Sequence, residues 1–310
     1  PRCRTDHPQH LRPSRIAGRL VKLRSPERAK ISWLEDSRRW GQIDRRADDI
    51  VISTPPKSGT TWMQGIMTSL MWPAGDAPDA FSALSPWVDM RMSTVDELRA
   101  RLDGLDHRRF LKTHTSADAF PVDTDAKNVV VYRDGRDALV SWANHRATMR
   151  PEVVQMLNDQ AAEEGVATVS PVWNGDMDEL FDEWERECSP TDHLAGWWPL
   201  REEPFVLFVH YNDLSADLEG EMRRIAGFLD LDIAEQYWAD VVARCRIDAM
   251  RSEADSAGLH DLGFDGGATS FFHQGINGRW RGVLTEAQLE RYADMVAALP
   301  GEAAEWLEHG

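Results

Sequence analysis

The residues in this 310-residue chain best suited to chemistry lie between Thr54 and Trp62, T-P-P-K-S-G-T-T-W. The stretch follows the apolar run Ile50-Val51-Ile52 and precedes an apolar segment, Met63 to Trp72. That order reads as a strand, a hydroxyl-rich turn and a helix. Helix N-termini hold unpaired N–H groups and partial positive charge, so they bind phosphate. Lys57 adds a full charge, and Ser58, Thr60 and Thr61 add hydroxyl donors. Gly59 lets backbone approach an anion closely. The nearest general pattern, the Walker A loop, places its lysine after the glycine. Here the lysine precedes it, and Pro55-Pro56 stand in front. A strand–turn–helix junction with no ligand is the plain alternative.

Other stretches carry further candidates. Tyr132-Arg133-Asp134-Gly135-Arg136-Asp137 is followed by Ser141. An arginine fork at a strand end suits phosphate, and Ser141 stands two helical turns on. A surface cluster capping a helix is the alternative. Lys112-Thr113-His114 puts a histidine just past a strand-end lysine. Histidine's ordinary pKa of about 6.5 suits proton transfer at neutral pH, although a lone histidine is more often structural or solvated. Phe272-His273-Gln274-Gly275-Ile276-Asn277-Gly278-Arg279-Trp280-Arg281 is glycine-rich and, taken by itself, reads as a loop.

These groups need elements to position them. Strands are expected at 49–53, 109–112, 128–132 and 205–210, and helices at 61–72, 135–147, 215–230 and 234–244. Residues 1–48 read as Arg/Lys-rich helical pieces, 73–95 as irregular, 151–190 as acidic and mostly helical, and 252–279 as loop. Thr285, with Gln288 three positions on, is an N-cap for a helix towards Leu299. Apolar strands alternating with helices imply an α/β fold, a parallel sheet covered on both faces. Ligands of such sheets bind beyond the strands' carboxyl ends. The Lys57 turn, His114, Arg133 and Tyr211 all fall there, and this convergence says more than any one residue.

The Thr54–Trp62 stretch resembles the 5′-phosphosulfate loop of the cytosolic sulfotransferases, T-Y-P-K-S-G-T-T-W, with Pro55 in place of the Tyr. Arg133, Asp137 and Ser141 match the family's R-x-x-x-D-x-x-x-S, and Lys112-Thr113-His114 its K-T-H. Gly275, Gly278, Trp280 and Thr285 fit the C-terminal R-K-G-x-x-G-D-W-K-N-x-F-T; His273-Gln274 stand where the family has Arg-Lys, and Arg279 where it has Asp. Looser echoes are Trp197-Trp198, Tyr211-Asn212-Asp213-Leu214, Cys245 to Arg251 and Pro86-Trp87-Val88, so the resemblance spans about Asp48 to Thr285.

The resemblance implies one domain over 1–310, with an N-terminal segment 1–48, a core 49–285 and C-terminal helices 286–310. The sheet would be P-loop-like in a three-layer α/β/α sandwich. It implies transfer of a sulfuryl group from 3′-phosphoadenosine 5′-phosphosulfate (PAPS) to an acceptor hydroxyl, leaving adenosine 3′,5′-bisphosphate (PAP), without a metal. His114 would be the general base, with Lys57 on the leaving phosphate oxygen and Lys112 on the sulfuryl oxygens. Lys57, Ser58, Gly59, Thr60 and Thr61 would hold the 5′-phosphate, and Trp62 and Tyr211 the adenine. Arg133 and Ser141 would hold the 3′-phosphate, with His273, Gln274 and Gly275 as the counterparts of the family's second grip on it. Phe81, Trp87, Trp142 and Met149 are candidates for the acceptor pocket, implying an apolar or aromatic small molecule or lipid. Rival readings are a small-molecule kinase of P-loop type and a non-catalytic nucleotide-binding module.

Composition bounds the rest. A net charge of −17 argues against nucleic-acid or anionic-membrane partners. Cys3, Cys188 and Cys245 are scattered, so neither a disulfide framework nor a zinc site is expected. No apolar run approaches the roughly 20 residues of a membrane span, and the polar, Arg-rich start lacks a signal peptide's apolar stretch. The expected location is the cytoplasm. The family's dimer motif, K-x-x-x-T-V-x-x-x-E, survives only as Arg281, Thr285, Glu286 and Glu290. That leaves monomer or dimer open.

Overall fold

Ile50–Ser53, Phe110–Thr113, Lys127–Tyr132 and Val206–His210 are apolar, largely β-branched runs, and they pair as one parallel sheet. The computed structural model describes residues 15–16, 19–20, 23–256, 263–265 and 277–310. Across the sheet the order is Phe110–Thr113, Ile50–Ser53, Lys127–Tyr132, Val206–His210. The chain therefore leaves Ile50–Ser53 to one side first and to the other next. This is a topological switch point, where the loops beyond two neighbouring strands part and open a crevice.

Side chains alternate across a strand, so each buried strand must feed two cores. Ile50, Ile52, Phe110, Val129 and Val131 pack with Met63, Met67, Met222, Ile225 and Val241. Those partners come from the helices Thr60–Met71, Leu218–Phe228 and Trp238–Arg244. Val51, Leu111, Val130 and Tyr132 face the opposite way, against Leu139, Trp142, Phe181, Trp184, Trp197 and Tyr292. These belong to Gly135–Thr148, Met177–Cys188, Pro190–Trp197 and Glu286–Ala297. The result is the three-layer α/β/α arrangement that the strand–helix alternation implies. Among the described residues, no helix is long and apolar enough to cross a membrane.

Among the described residues of 1–48, the expected N-terminal α-helices do not form. Within 23–48 the chain forms a short strand, Leu23–Arg24, and one 3-10 turn, Ser37–Gln42. Two of its arginines are buried rather than solvated: Arg39 and Arg45 are 5% and 1% exposed. Arg45 faces Asp49, whose carboxylate also takes two hydrogen bonds of 2.7 Å from Arg109. Trp33 and Trp40 are buried beside them. Burial and pairing with the core decide this segment's path, and local helix propensity does not. Two helices also went unforeseen. Val95–Asp103 starts on a full capping box, Thr94 with Glu97. Ile247–Ser256 occupies the first residues of the expected loop at 252–279. A short helix, Phe81–Leu84, interrupts the irregular 73–95 stretch. Thr285 caps its helix with Gln288 as expected.

Candidate active site

The turn after Ile50–Ser53 is built on unusual backbone. Lys57 has φ 67° and Gly59 φ 107°. A non-glycine residue in the left-handed region costs roughly 1–3 kcal/mol and tends to occur where the chain has a task. A Cβ on Gly59 would meet Tyr211 at 3.2 Å, so glycine there serves both the turn and the close approach of the ring. Gly59 caps the helix Thr60–Met71, whose first N–H groups have no intrahelical partner. The Ser58 hydroxyl oxygen is buried, with no hydrogen-bond partner among the described residues. It stands beside the N-terminus of that helix.

His114 follows the edge strand Phe110–Thr113 and is 6% exposed. Its Nδ1 lies 2.7 Å from the Thr54 carbonyl oxygen. A carbonyl only accepts, so Nδ1 carries the proton and Nε2 is left as the basic nitrogen. Among the described residues nothing hydrogen-bonds Nε2. Burial, and then Lys112, hold the imidazole pKa well below its ordinary value, while the bond to Thr54 opposes them. The ring is thus neutral at pH 7, the form a base requires. Trp87 meets it edge-on, centroids 4.7 Å apart. From behind, Lys30 donates to the His114 carbonyl at 3.1 Å and pairs with Glu35 at 2.8 Å. Asp89, fully buried, accepts from the hydroxyls of Thr113 and Thr115 on either side.

Lys57 Nζ lies 3.3 Å from His145 Nδ1. Burial first, then Lys112 and Arg133, lower the Lys57 pKa to about 7. Lys112 sits 3.8 Å above the Trp87 ring, and burial lowers its pKa to about 8 against the pull of Glu35 and Asp89. Two buried lysines so poised are suited to meet negative charge.

Arg133 extends from the end of Lys127–Tyr132. Its guanidinium lies 4.5 Å from the Tyr211 ring centroid, and its Nε donates to the Asn277 side chain at 2.9 Å. Tyr211 also meets Trp62 edge-on at 4.9 Å. Asp137 accepts from the backbone N–H groups of Gly278 and Arg279 at 2.7 and 2.8 Å. This clamp brings Arg279 to the wall that Arg133 and Ser141 share. Burial, then Arg133, lower the Arg279 pKa.

One cavity of about 450 Å³ joins these groups. Lys57, Gly59, Thr60, Thr61, Trp62, Lys112, His114, Arg133, Ser141 and Tyr211 all line it, as do Phe81, Trp87, Trp142 and Met149. The structure therefore brings these sequence candidates to one place, whereas Ser58 is fully buried in the turn and does not line the cavity. Thr60's hydroxyl turns inward to Thr54, which leaves its backbone N–H as its group for a ligand. His273, Gln274 and Gly275 lie outside the described residues. Sequence reasoning missed His145, although it stands one helical turn past Ser141, on the same face.

A family model, the sulfotransferase domain, matches residues 47–305. The chain belongs to the sulfotransferase family. Among its relatives is a glycolipid sulfotransferase of Mycobacterium bovis, 30% identical, the alignment covering 90% of this chain and 93% of that protein. The rat sulfotransferase 1 family member D1 is 28% identical over 82% of this chain and 85% of its own. Among solved structures, mouse sulfotransferase SULT7A1 complexed with PAP superposes with a TM-score of 0.67 at 18% identity, covering 89% of this chain and 94% of that one. Retinol dehydratase in a complex with retinol and PAP gives 0.64 at 18% identity, covering 83% and 82%. At such identity these likenesses concern the fold. The sulfotransferase described here is an enzyme.

Proposed function

We propose that this sulfotransferase uses PAPS as donor and sulfates a hydroxyl of an apolar or aromatic small molecule or lipid, with His114 as the base. The observation that carries the proposal is the fixed tautomer of His114 in a cavity it shares with Lys57 and Lys112. When bound, the donor supplies the sulfuryl group. Ser58, Gly59, Thr60 and Thr61 hold its 5′-phosphate through hydroxyl and helix-end N–H groups. Arg133 and Ser141 hold the 3′-phosphate, with Arg279 adding a charge where the family has an acid. Trp62 and Tyr211 flank the base. His114 takes the acceptor's proton at Nε2 as the new S–O bond forms. Lys57 meets the charge that grows on the departing phosphate oxygen, and Lys112 the sulfuryl oxygens. Catalysis of this kind is positioning plus charge stabilisation.

The acceptor class follows from the wall. Phe81, Trp87, Trp142 and Met149, with Met90 and Met250, make that end of the cavity apolar, and methionines adapt to irregular shapes. The similarity to glycolipid sulfotransferases agrees with a lipid-bearing hydroxyl. The test is a panel of phenols, sterols, fatty alcohols, glycolipids and hydrophilic sugars, offered with PAPS or with ATP and Mg²⁺. PAPS-dependent transfer to apolar members is expected. Transfer to sugars alone, or from ATP, would overturn the reading.

A charge-assisted bond to phosphate contributes about 1.5–3 kcal/mol. Arg133→Ala is therefore expected to weaken PAP by one to two orders of magnitude, roughly, and adenosine 5′-phosphate hardly at all. Calorimetry with both nucleotides checks this, and equal losses would give the arginine a different role.

A further inference from the structure

The helix Gly135–Thr148 carries Ser141 on the cavity wall and His145 one turn later. His145 does two things at once. Its Nδ1 lies 3.3 Å from the Lys57 Nζ. Its ring packs against Trp142 and Phe264, centroids 5.2 and 4.6 Å away, and itself lines the acceptor cavity. In its charged form, the one that serves a leaving oxygen, Lys57 only donates, and this contact then pairs it with the Nε2–H tautomer of His145, the Nδ1 lone pair aimed at the ammonium. The ring must also stay uncharged. Burial first, then Lys57, Lys112, Arg146 and His114, hold its pKa well below the ordinary value.

We propose that His145 is a positioning residue for Lys57, setting the lysine's place from the acceptor side of the cavity. Lys57 needs such help. Its backbone sits in the left-handed region within a tight turn, and a four-carbon stem leaves the ammonium many rotamers. A contact from a helix 88 residues further along the chain selects among them. Because the same ring forms part of the acceptor wall, the lysine's partner is in contact with whatever fills the pocket. A displacement of about 1 Å in such a group can cost as much as 10²-fold in rate.

The inference rests on the reading of Lys57 as the group that serves the leaving oxygen, and the test separates the two. His145→Phe keeps the aromatic packing and removes the lone pair, whereas His145→Asn returns a short-armed acceptor near the Nδ1 position. The phenylalanine variant is expected to lose roughly tenfold in kcat with PAP affinity essentially unchanged. Asparagine should recover most of that loss. In a Lys57→Met background, His145→Phe should change kcat no further, since the two act as a unit. Additive losses, or a loss that asparagine does not relieve, would reduce His145 to wall packing and overturn the proposal, as would normal turnover in His145→Phe. A Lys57→Met enzyme with normal kcat would instead sink the reading of the lysine itself.

Discussion

His114→Ala is expected to lower kcat by roughly 10²–10⁴-fold, the range seen when a positioned base is lost. PAP affinity should stay within a small factor, because the imidazole touches the acceptor side. The size follows from how narrowly the histidine is specified. The Thr54 carbonyl fixes its tautomer. Burial keeps it neutral, and Lys30 and Asp89 hold the strand end on which it sits. Deleting the ring removes an imidazole nitrogen that is basic and uncharged and that no described residue hydrogen-bonds. Steady-state rates with a good acceptor, beside calorimetry with PAP, decide the matter. Turnover within threefold of wild type, roughly, would show that water or another group accepts the proton.

Lys57→Met is expected to cost about 10²–10³-fold in kcat, as does removal of a preorganised donor to developing charge. Donor affinity should fall much less, because the charge it meets is largest in the transition state. A second signature is protonic. In the free enzyme Lys57 titrates near about 7 and Lys112 near about 8, both lowered by burial. At pH 8 Lys57 is thus mostly neutral and Lys112 about half charged. A bound phosphate favours the charged forms and raises both pKa values, so PAP binding at pH 8 takes up protons. Calorimetry in two buffers of different ionisation enthalpy measures that uptake, and Lys57→Met should remove the larger part. An uptake of zero in the wild type would mean that neither lysine meets the nucleotide. Donor affinity falling in step with rate would make Lys57 a plain anchor.

Much of the site could be read before the fold was known, for a physical reason. Buried parallel strands announce themselves as short apolar runs, and whatever polar residue follows each run must lie at one edge. Lys57, His114, Arg133 and Tyr211 were legible in that way. Phe81, Trp87, Trp142 and Met149 came from the resemblance and from residue type, and all four reach the cavity. His145 was not legible, since its importance lies in a contact with a residue far off in sequence. The strap at 23–48 misled because arginine and lysine suggest solvated helix, whereas Arg39 and Arg45 are drawn inside by carbonyls and Asp49. The helix Val95–Asp103 is a different failure: its Thr94–Glu97 signature stood in the sequence and went unread.

The strap has a consequence for how this enzyme can be divided or recombined. The stretch that matches the family begins at 47, yet the ammonium that holds the His114 carbonyl sits at position 30. Its counter-ion, Glu35, and the buried indoles of Trp33 and Trp40 also precede that boundary. A chimaera joined at the boundary would inherit every signature residue and lose the wall behind one of them. Its histidine would be present in name but set at an uncontrolled angle to the acceptor. For this chain the exchangeable module is the strap and sheet together, and motif content alone does not mark its edge.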